Sequence, residues 1–330
     1  MSTRVEVHPT MPPADAPDVS IVIPCYRDED QVAVLVRELA PVLASFPGGA
    51  ELVLVDDGSP DRTGERASAL GAKTEQPLTV VRLARNFGQH PAIFAGLAAA
   101  RGKIVVTMDS DLQYPVSEVT RLVDHVSFEN PVVSGYRADR KDPFTRRLIT
   151  SALTKWLGKR TGQQLRDYGS MFRAYDRSVV DAMLTITERH RYVPAIASWL
   201  GFHVLELPVE HHQRNEQGSR YRLSSLLSLF LDVITSYSIS PLRFVSLVAS
   251  IGALAGFMAM IAFAVYRVVI GAGVAGVVSA FALVFALLAV QLLATALLGE
   301  YVGRIYVETR HRPYFVVRST ERFIPKEEPS

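Results

Sequence analysis

Four short apolar segments in the first third of the chain have the composition of buried β-strands. Segments with a helical apolar period separate them, so strands and helices alternate. This alternation predicts crossover connections and a mainly parallel sheet, which is an α/β fold. The four predicted strands cover residues 19–24, 51–55, 78–83 and 104–108.

Acidic residues that follow two of these strands carry the first chemical signal. The second strand runs into Asp56 and Asp57, and the fourth runs into Asp109-Ser110-Asp111. Ligands of open α/β sheets bind beyond the carboxyl ends of the strands, so these acids are expected to converge on one crevice. Paired carboxylates suit Mg²⁺ or Mn²⁺, and such an ion usually also holds substrate phosphates. For a single acid the alternative is a helix cap.

Two charge-free stretches, residues 244–266 and 271–299, follow later in the chain. Each can cross a hydrocarbon core of about 30 Å at about 1.5 Å per residue. Arg243 precedes the first stretch, the connecting turn holds Arg267, and several arginines follow the second stretch. The positive-inside rule therefore predicts a transmembrane hairpin in the inner membrane with both chain ends in the cytoplasm. The alternative is a pair of helices buried in a soluble core.

Composition excludes several other classes of protein. The net charge of the 330 residues is +2, so no nucleic-acid partner is expected. The one cysteine, Cys25, excludes an internal disulfide and a cysteine-rich zinc site, and agrees with a reducing compartment. The first residues lack the apolar centre of a signal peptide.

These patterns predict five regions in chain order. Residues 1–18 form a disordered lead-in, and residues 19–221 form the α/β domain. Residues 222–241 suit an amphipathic helix at the membrane interface. Residues 242–300 hold two transmembrane helices, at about 242–268 and 274–299, and residues 301–330 form a cytoplasmic tail.

Several motifs in a fixed order make the chain resemble family-2 glycosyltransferases of the polyprenyl-phosphate sugar transferase group, with a layout similar to dolichol-phosphate mannose synthase. That group has a GT-A fold. The run from Arg166 to Tyr175 is most similar to undecaprenyl-phosphate 4-deoxy-4-formamido-L-arabinose transferases, which serve lipid A modification. The motifs that carry the resemblance lie at residues 19–26, 55–59, 85–88, 108–115, 218–221 and 298–306.

The resemblance implies a metal-assisted donor site. Asp109, Asp111 and Gln113 are expected to hold Mg²⁺ or Mn²⁺, which neutralises charge on the departing UDP. Arg214 and Arg220 are expected to close over the diphosphate, although a solvated basic loop near anionic lipid is the alternative. The residues implied in donor binding are Pro24, Tyr26, Asp28, Asp57, Arg85, Asn86, Asp109, Arg214 and Arg220.

The resemblance also implies where the acceptor reacts. Asp167 is the suggested catalytic base, which deprotonates or orients the lipid phosphate, and Arg173 is expected in the same catalytic centre. A turn-forming role before Tyr168 is the alternative for Asp167. Four basic residues are expected to attract either the acceptor phosphate or the membrane surface. They are Arg140, Lys141, Arg146 and Arg147.

The implied reaction moves one sugar, with inversion, from a UDP-sugar to undecaprenyl phosphate at the bilayer. UDP-4-deoxy-4-formamido-L-arabinose is the expected donor, and glucosyl or N-acetylhexosaminyl transfer is the alternative. A non-catalytic scaffold or flippase partner is the alternative of another class. Arg27-Asp28 departs from the family's usual Asn-Glu. Small residues such as Gly252 and Gly256 permit close helix packing, and a homotetramer is expected.

Overall fold

The structure, a computed structural model, describes residues 16–137, 154–155, 158, 162–163, 165–188, 191–210, 240–270, 274–310 and 312–325. The chain divides into two compact units. The first unit comprises Met1–Arg222 and Pro313–Ser330, and the second comprises Leu223–Arg312.

One sheet forms the centre of the first unit. Its described strands are β1 (Val19–Cys25), β2 (Ala50–Asp56), β3 (Leu78–Leu83), β4 (Ile104–Thr107), β5 (Val132–Arg137), β6 (Arg173–Asp176), β7 (Val204–Val209) and β8 (Val317–Phe323). They lie in the order β7-β5-β6-β4-β1-β2-β3-β8. Only β6 and β8 run antiparallel to their neighbours among these described strands. The predicted mainly parallel α/β sheet is therefore confirmed.

Helices cover the sheet where the apolar period predicted most of them. The first, α1 (Gln31–Ala44), buries Val32, Leu35, Leu39 and Leu43 against the core. The alanine-rich helix, α3 (Gln89–Ala99), buries every residue from Ala92 to Leu97, because it packs directly on β1 and β2. The other described helices of this unit are α2 (Thr63–Gly71), α4 (Ser117–Asp124), α5 (Arg177–Leu184) and α6 (Val193–Trp199).

The strand order creates a crevice at one edge of the sheet. From β1 the chain proceeds to β2 and β3 on one side, whereas β4 pairs with β1 on the other side. The connections that leave β1 and β4 therefore diverge beyond the carboxyl ends of these strands. Such a switch point is where ligands of open α/β sheets bind.

The last strand of the sheet comes from the end of the chain. Strand β8 pairs antiparallel with the outer edge of β3. Its Arg322 Nη2 donates to Glu51 Oε2 at 2.8 Å, and Glu51 is only 2% exposed. The Glu51 carboxylate also accepts from the Ser20 hydroxyl at 2.7 Å. The region predicted as a tail thus contributes a strand that the sequence patterns did not indicate.

The second unit contains two long helices, α7 (Ser240–Ile270) and α8 (Val274–Thr309). They pack closely at Gly256, where an added Cβ would lie 2.6 Å from Leu287 side-chain carbons. A search of the described residues finds no helix that combines the length and apolar character needed to span a membrane. The membrane crossing of the predicted hairpin stays a prediction. The predicted interface helix at 222–241 lies almost entirely outside the described residues.

Candidate active site

An open cleft of about 460 Å³ lies beyond the carboxyl ends of β1, β2 and β4. Residues from the loops after all three strands line it, together with the first turn of α3. The convergence expected for Asp57, Asp109 and Asp111 is therefore present in the structure. The lining residues are Pro24, Cys25, Tyr26, Asp28, Asp57, Asn86, Gly88, Gln89, Ala92, Asp109, Ser110 and Asp111.

Asp57 fixes the wall of the cleft that leads into α3. Its two carboxylate oxygens accept the backbone N–H groups of Phe87, at 2.7 Å, and Gly88, at 2.8 Å. Gly88 has a φ of +100°, a conformation that favours glycine. Burial raises the pKa of Asp57, and the two N–H donors oppose that rise. Asp57 thus holds the turn beside Asn86, directly before α3. The helix-cap alternative placed its hydrogen bonds at the start of α2 instead.

Asp109 and Asp111 form the acidic floor of the cleft. The side-chain amide of Gln89 donates to Asp109 Oδ1 at 2.5 Å, and the backbone N–H of Gln113 donates to Asp111 Oδ1 at 3.2 Å. Burial, followed by the Asp111 charge, raises the pKa of Asp109 to about 6. Each carboxylate makes ionisation of the other less favourable, and a divalent cation bound between them would remove that repulsion.

The donor set of this floor fits Mg²⁺ or Mn²⁺. No group of three or more His, Cys, Asp or Glu side chains able to hold a metal occurs among the described residues. Mg²⁺ commonly binds through one or two carboxylates and completes its shell with water and substrate phosphates. Asp109 and Asp111 in an open, nucleotide-sized cleft supply that number of protein ligands.

A second set of hydrogen bonds joins the loop after β1 to the acidic floor. Asp28 Oδ2 accepts the Ser110 hydroxyl at 2.8 Å and the Tyr26 backbone N–H at 3.0 Å. The Asp28 backbone N–H donates to Thr63 Oγ1 at 2.9 Å, at the start of α2. The loop after β1 is therefore tied both to the floor and to the neighbouring helix.

Asp167 lies in a turn that neighbouring elements hold from several directions. Its own Oδ1 accepts the Gly169 N–H at 2.8 Å, as expected of a turn-forming aspartate. On β7, Glu206 accepts the backbone N–H groups of Arg166 and Asp167 at 2.7–3.1 Å. The Tyr192 hydroxyl donates to the Tyr168 carbonyl at 2.8 Å. The buried Asp167 side chain thus has the turn-forming role that was the alternative expectation. Asp167 is absent from the cleft lining of the described chain, and its role as catalytic base stays a prediction.

Arg137, at the end of β5, connects the Asp167 turn with the acidic floor. Its Nε lies 3.5 Å from Asp167 Oδ2. The same guanidinium opposes the upward shift of the Asp109 pKa. A single cation therefore acts on both the suggested base and a suggested metal ligand.

Arg173 is absent from the cleft lining of the described chain. Its side chain is fully buried, with Nε donating to the Ser170 carbonyl at 3.1 Å and Nη1 to the Pro194 carbonyl at 2.7 Å. These bonds tie β6 to the start of α6 and to the end of the Asp167 turn. The described contacts of Arg173 are structural, and its predicted part in catalysis stays a prediction.

The structure brings together six of the nine residues predicted to bind the donor, since Pro24, Tyr26, Asp28, Asp57, Asn86 and Asp109 all line the cleft. Arg85 lies beside them, with its guanidinium 4.1 Å from the ring centroid of Phe87. Gln113 is absent from the cleft lining of the described chain, and its role as third ligand stays a prediction. The remaining predicted basic residues lie outside the described residues: Arg140, Lys141, Arg146, Arg147, Arg214 and Arg220.

Four site residues were missed by the sequence patterns. Arg137 follows the same strand-end rule that selected Asp57, so that rule would have found it. Gln89 opens a helix directly after a glycine, which is a weaker signal. Ser110 and Glu206 act through partners that are 82 and 39–40 residues away in the chain. No local pattern identifies such contacts.

An acid pair at the switch point of a mainly parallel sheet, beside a cleft of this size, suits an enzyme that binds a divalent cation together with a diphosphate-containing substrate. Residues 20–184 match the family model of glycosyl transferase family 2. The chain is 40% identical over 314 residues to the undecaprenyl-phosphate 4-deoxy-4-formamido-L-arabinose transferase of Pseudomonas aeruginosa, covering 94% of this chain and 93% of that protein. The chain belongs to glycosyl transferase family 2 and is an enzyme.

Further comparisons agree with this assignment. The enzyme of the same name from Pectobacterium atrosepticum is 38% identical over 308 residues, covering 93% of this chain and 94% of that protein. Among solved structures, glucosyl-3-phosphoglycerate synthase from Mycobacterium tuberculosis in complex with Mn²⁺, UDP and phosphoglyceric acid has a TM-score of 0.52 at 19% identity. That alignment covers 68% of this chain and 79% of that chain, and it shows the shared fold.

Replacement of Asp109 with Asn should make the metal-free protein more stable at neutral pH. The folded chain keeps a proton on Asp109 up to about pH 6, whereas the unfolded chain releases it near the ordinary value of 3.8. Wild-type stability therefore declines as the pH rises through this window. Asp109→Asn should gain about 1–3 kcal/mol above about pH 7 and nothing below about pH 4.

Thermal unfolding of the purified protein in the presence of a chelator measures this effect across the pH range. A gain of the same size at every pH would contradict the assignment of a raised pKa to Asp109.

Proposed function

We propose that this glycosyltransferase moves 4-deoxy-4-formamido-L-arabinose from its UDP-linked form to undecaprenyl phosphate at the cytoplasmic face of the inner membrane. A phosphate oxygen of the acceptor attacks the anomeric carbon of the sugar, and the bond from that carbon to UDP breaks with inversion. UDP leaves with the bonding electron pair. The likeness to the Pseudomonas and Pectobacterium enzymes over nearly the whole chain supports this choice of sugar and acceptor.

The observation that carries the proposal is the acidic floor of the cleft. Asp109 and Asp111 lie together at the carboxyl end of β4, beside the loops that hold Tyr26 and Asp57. These two acids would hold Mg²⁺ or Mn²⁺ in the working enzyme, and such an ion neutralises negative charge on a diphosphate leaving group. Gln89 keeps Asp109 oriented towards that position.

Asp167 is proposed to act on the acceptor. Its Oδ1 is occupied by the Gly169 N–H, while Oδ2 lies on the side of Arg137. In this orientation Oδ1 maintains the turn and Oδ2 faces the Arg137 guanidinium, which would place the carboxylate beside an anionic acceptor that Arg137 attracts. A phosphate monoester is largely ionised near neutral pH, so Asp167 has to orient the nucleophile more than activate it.

The membrane hairpin belongs to the same proposal. Large apolar side chains of both helices are exposed in the second unit, such as Leu254 at 64%, Phe285 at 67% and Leu292 at 69%. Exposed apolar surface on this scale marks an interaction with lipid or with protein. Together with the two charge-free stretches, it supports a bilayer location for α7 and α8.

The close approach at Gly256 also suits packing between spans, and we retain the homotetramer as a proposal that light scattering in detergent can check.

Asp111→Asn should abolish sugar transfer. The change removes one carboxylate from the acidic floor, so we expect the rate to fall at least about 100-fold. The assay follows radiolabelled sugar into undecaprenyl phosphate, with the purified full chain and a panel of UDP-sugars. The exposed carboxylate of Asp124 on α4 provides a matched control, and Asp124→Asn should retain the wild-type rate.

The panel also separates the proposed sugar from its alternatives. Preferred transfer from UDP-glucose or a UDP-N-acetylhexosamine would replace the proposed donor. Wild-type transfer by Asp111→Asn would overturn the metal-assisted mechanism.

Asp167→Asn should separate catalysis from donor binding. An amide oxygen can still accept the Gly169 N–H, so the turn is preserved, but the carboxylate proposed to orient the acceptor is lost. We expect kcat to fall about 10²-fold while UDP binding in the presence of Mn²⁺ is unchanged. The Arg177–Asp181 pair, at 2.8 Å, offers a matched ion pair elsewhere in the fold. If Asp181→Asn lowers kcat equally, the effect at Asp167 is structural.

Cysteine labelling tests the hairpin. Ala272→Cys lies between the two predicted transmembrane helices, at about 242–268 and 274–299, and Ser330→Cys lies at the end of the chain. An impermeant maleimide added to spheroplasts should label the first variant directly and the second only after permeabilisation, as both chain ends are proposed to be cytoplasmic. Labelling of position 330 without permeabilisation would contradict this topology.

A further inference from the structure

The Asp28–Ser110 hydrogen bond links the loop after β1 to the acidic floor. Ser110 lies between the two proposed metal ligands, Asp109 and Asp111. Its hydroxyl donates to Asp28 Oδ2 at 2.8 Å, and both residues line the cleft. This hydrogen bond therefore constrains the segment that carries both carboxylates.

The backbone on both sides of this bond has an uncommon conformation. Arg27 has a φ of 59° and Leu112 has a φ of 52°, and they are the only residues other than glycine with a positive φ in the described part of the chain. Side chains disfavour this left-handed region, so surrounding contacts have to maintain it. Arg27 directly precedes Asp28, and Leu112 directly follows Asp111. The hydrogen bond thus joins two strained turns.

We propose that Asp28 is a positioning residue that acts through Ser110 to hold Asp109 and Asp111 in the arrangement that binds the metal. This inference rests on the proposed function, because it assigns a role in the same donor site. Asp28 Oδ2 already accepts two hydrogen bonds, from Ser110 and from the Tyr26 N–H. Asp28 Oδ2 is therefore shared between the two loops, and it supports the metal ligands through the Ser110 hydroxyl.

The physical need for such a support comes from the two carboxylates. They repel each other in the absence of a cation, so a loop without support would let them separate. Groups that hydrogen-bond around metal ligands fix the orientation of those ligands, and their loss commonly weakens metal affinity about 10–100-fold. Ser110 supplies this support without being a ligand itself.

Ser110→Ala tests the inference, since it removes the hydroxyl and adds no bulk. We expect the dissociation constant for Mn²⁺, measured by electron paramagnetic resonance on the full chain with UDP present, to rise about 10-fold. The rate of sugar transfer should recover at saturating Mn²⁺. Asp28→Ala should produce the same change, and the double variant should be no worse than either single variant.

Conservative variants and a matched pair separate positioning from a loss of fold. Ser110→Thr and Asp28→Asn each keep an atom able to form the bond, and both should retain Mn²⁺ affinity closer to wild type. Ser178 forms an equivalent bond to Asp176 at the start of α5. Ser178→Ala should lower thermal stability and leave Mn²⁺ affinity unchanged.

The outcomes are distinguishable from failure of the proposed function. If wild-type protein binds no Mn²⁺ with UDP, the proposed function itself fails. If wild type binds Mn²⁺ and Ser110→Ala binds it equally well, the positioning role is overturned. Additive effects of the two alanine variants would also overturn it, because they would show that Asp28 and Ser110 act independently.

Discussion

The parallel pairing of β4, β1 and β2 is the constraint on which the rest of the site depends. It places three strand ends at one edge, and the residues that follow them have to share a single crevice. The free-energy cost of this arrangement comes from the repulsion between several nearby carboxylates, and burial increases that cost. The fold offsets that cost with neutral donors, such as the Gln89 amide and the backbone N–H groups of Phe87 and Gly88. A cation bound at Asp109 and Asp111 would complete the compensation.

Much of this arrangement could be predicted from the order of residues. The position of Asp109 after an apolar β-branched segment indicates a strand end, and Asp57 follows the same rule two strands earlier in the chain. Since parallel strands deliver their carboxyl ends to the same edge, the convergence of the two follows from local patterns. The four cleft residues that the family resemblance added occupy the same edge, namely Pro24, Tyr26, Asp28 and Asn86. The burial of Arg173 could not be predicted in this way, because position in a motif says nothing about burial, and its part in catalysis stays a prediction.

The contacts that could not be predicted are those between distant segments. Glu206 holds the Asp167 turn because β7 pairs in parallel with β5, a pairing without a sequence signature. Asp28 and Ser110 meet because two loops bend towards each other through left-handed residues, which have side chains that usually avoid that conformation. The edge strand β8 was missed because its alternation of Arg, Ser, Thr and Glu lacks the apolar run of the central strands.

The attachment of β8 to β3 has a consequence for the order in which the protein matures. This strand follows α8 in the chain, so the ribosome makes it after both long helices. Until it arrives, the edge of β3 stays open and Glu51 lacks the guanidinium of Arg322. The catalytic unit therefore reaches its final form only once the helices have been synthesised. Completion of the sheet thus requires synthesis through Phe323, and a chain interrupted within the long helices would be left with an unpaired β3 edge.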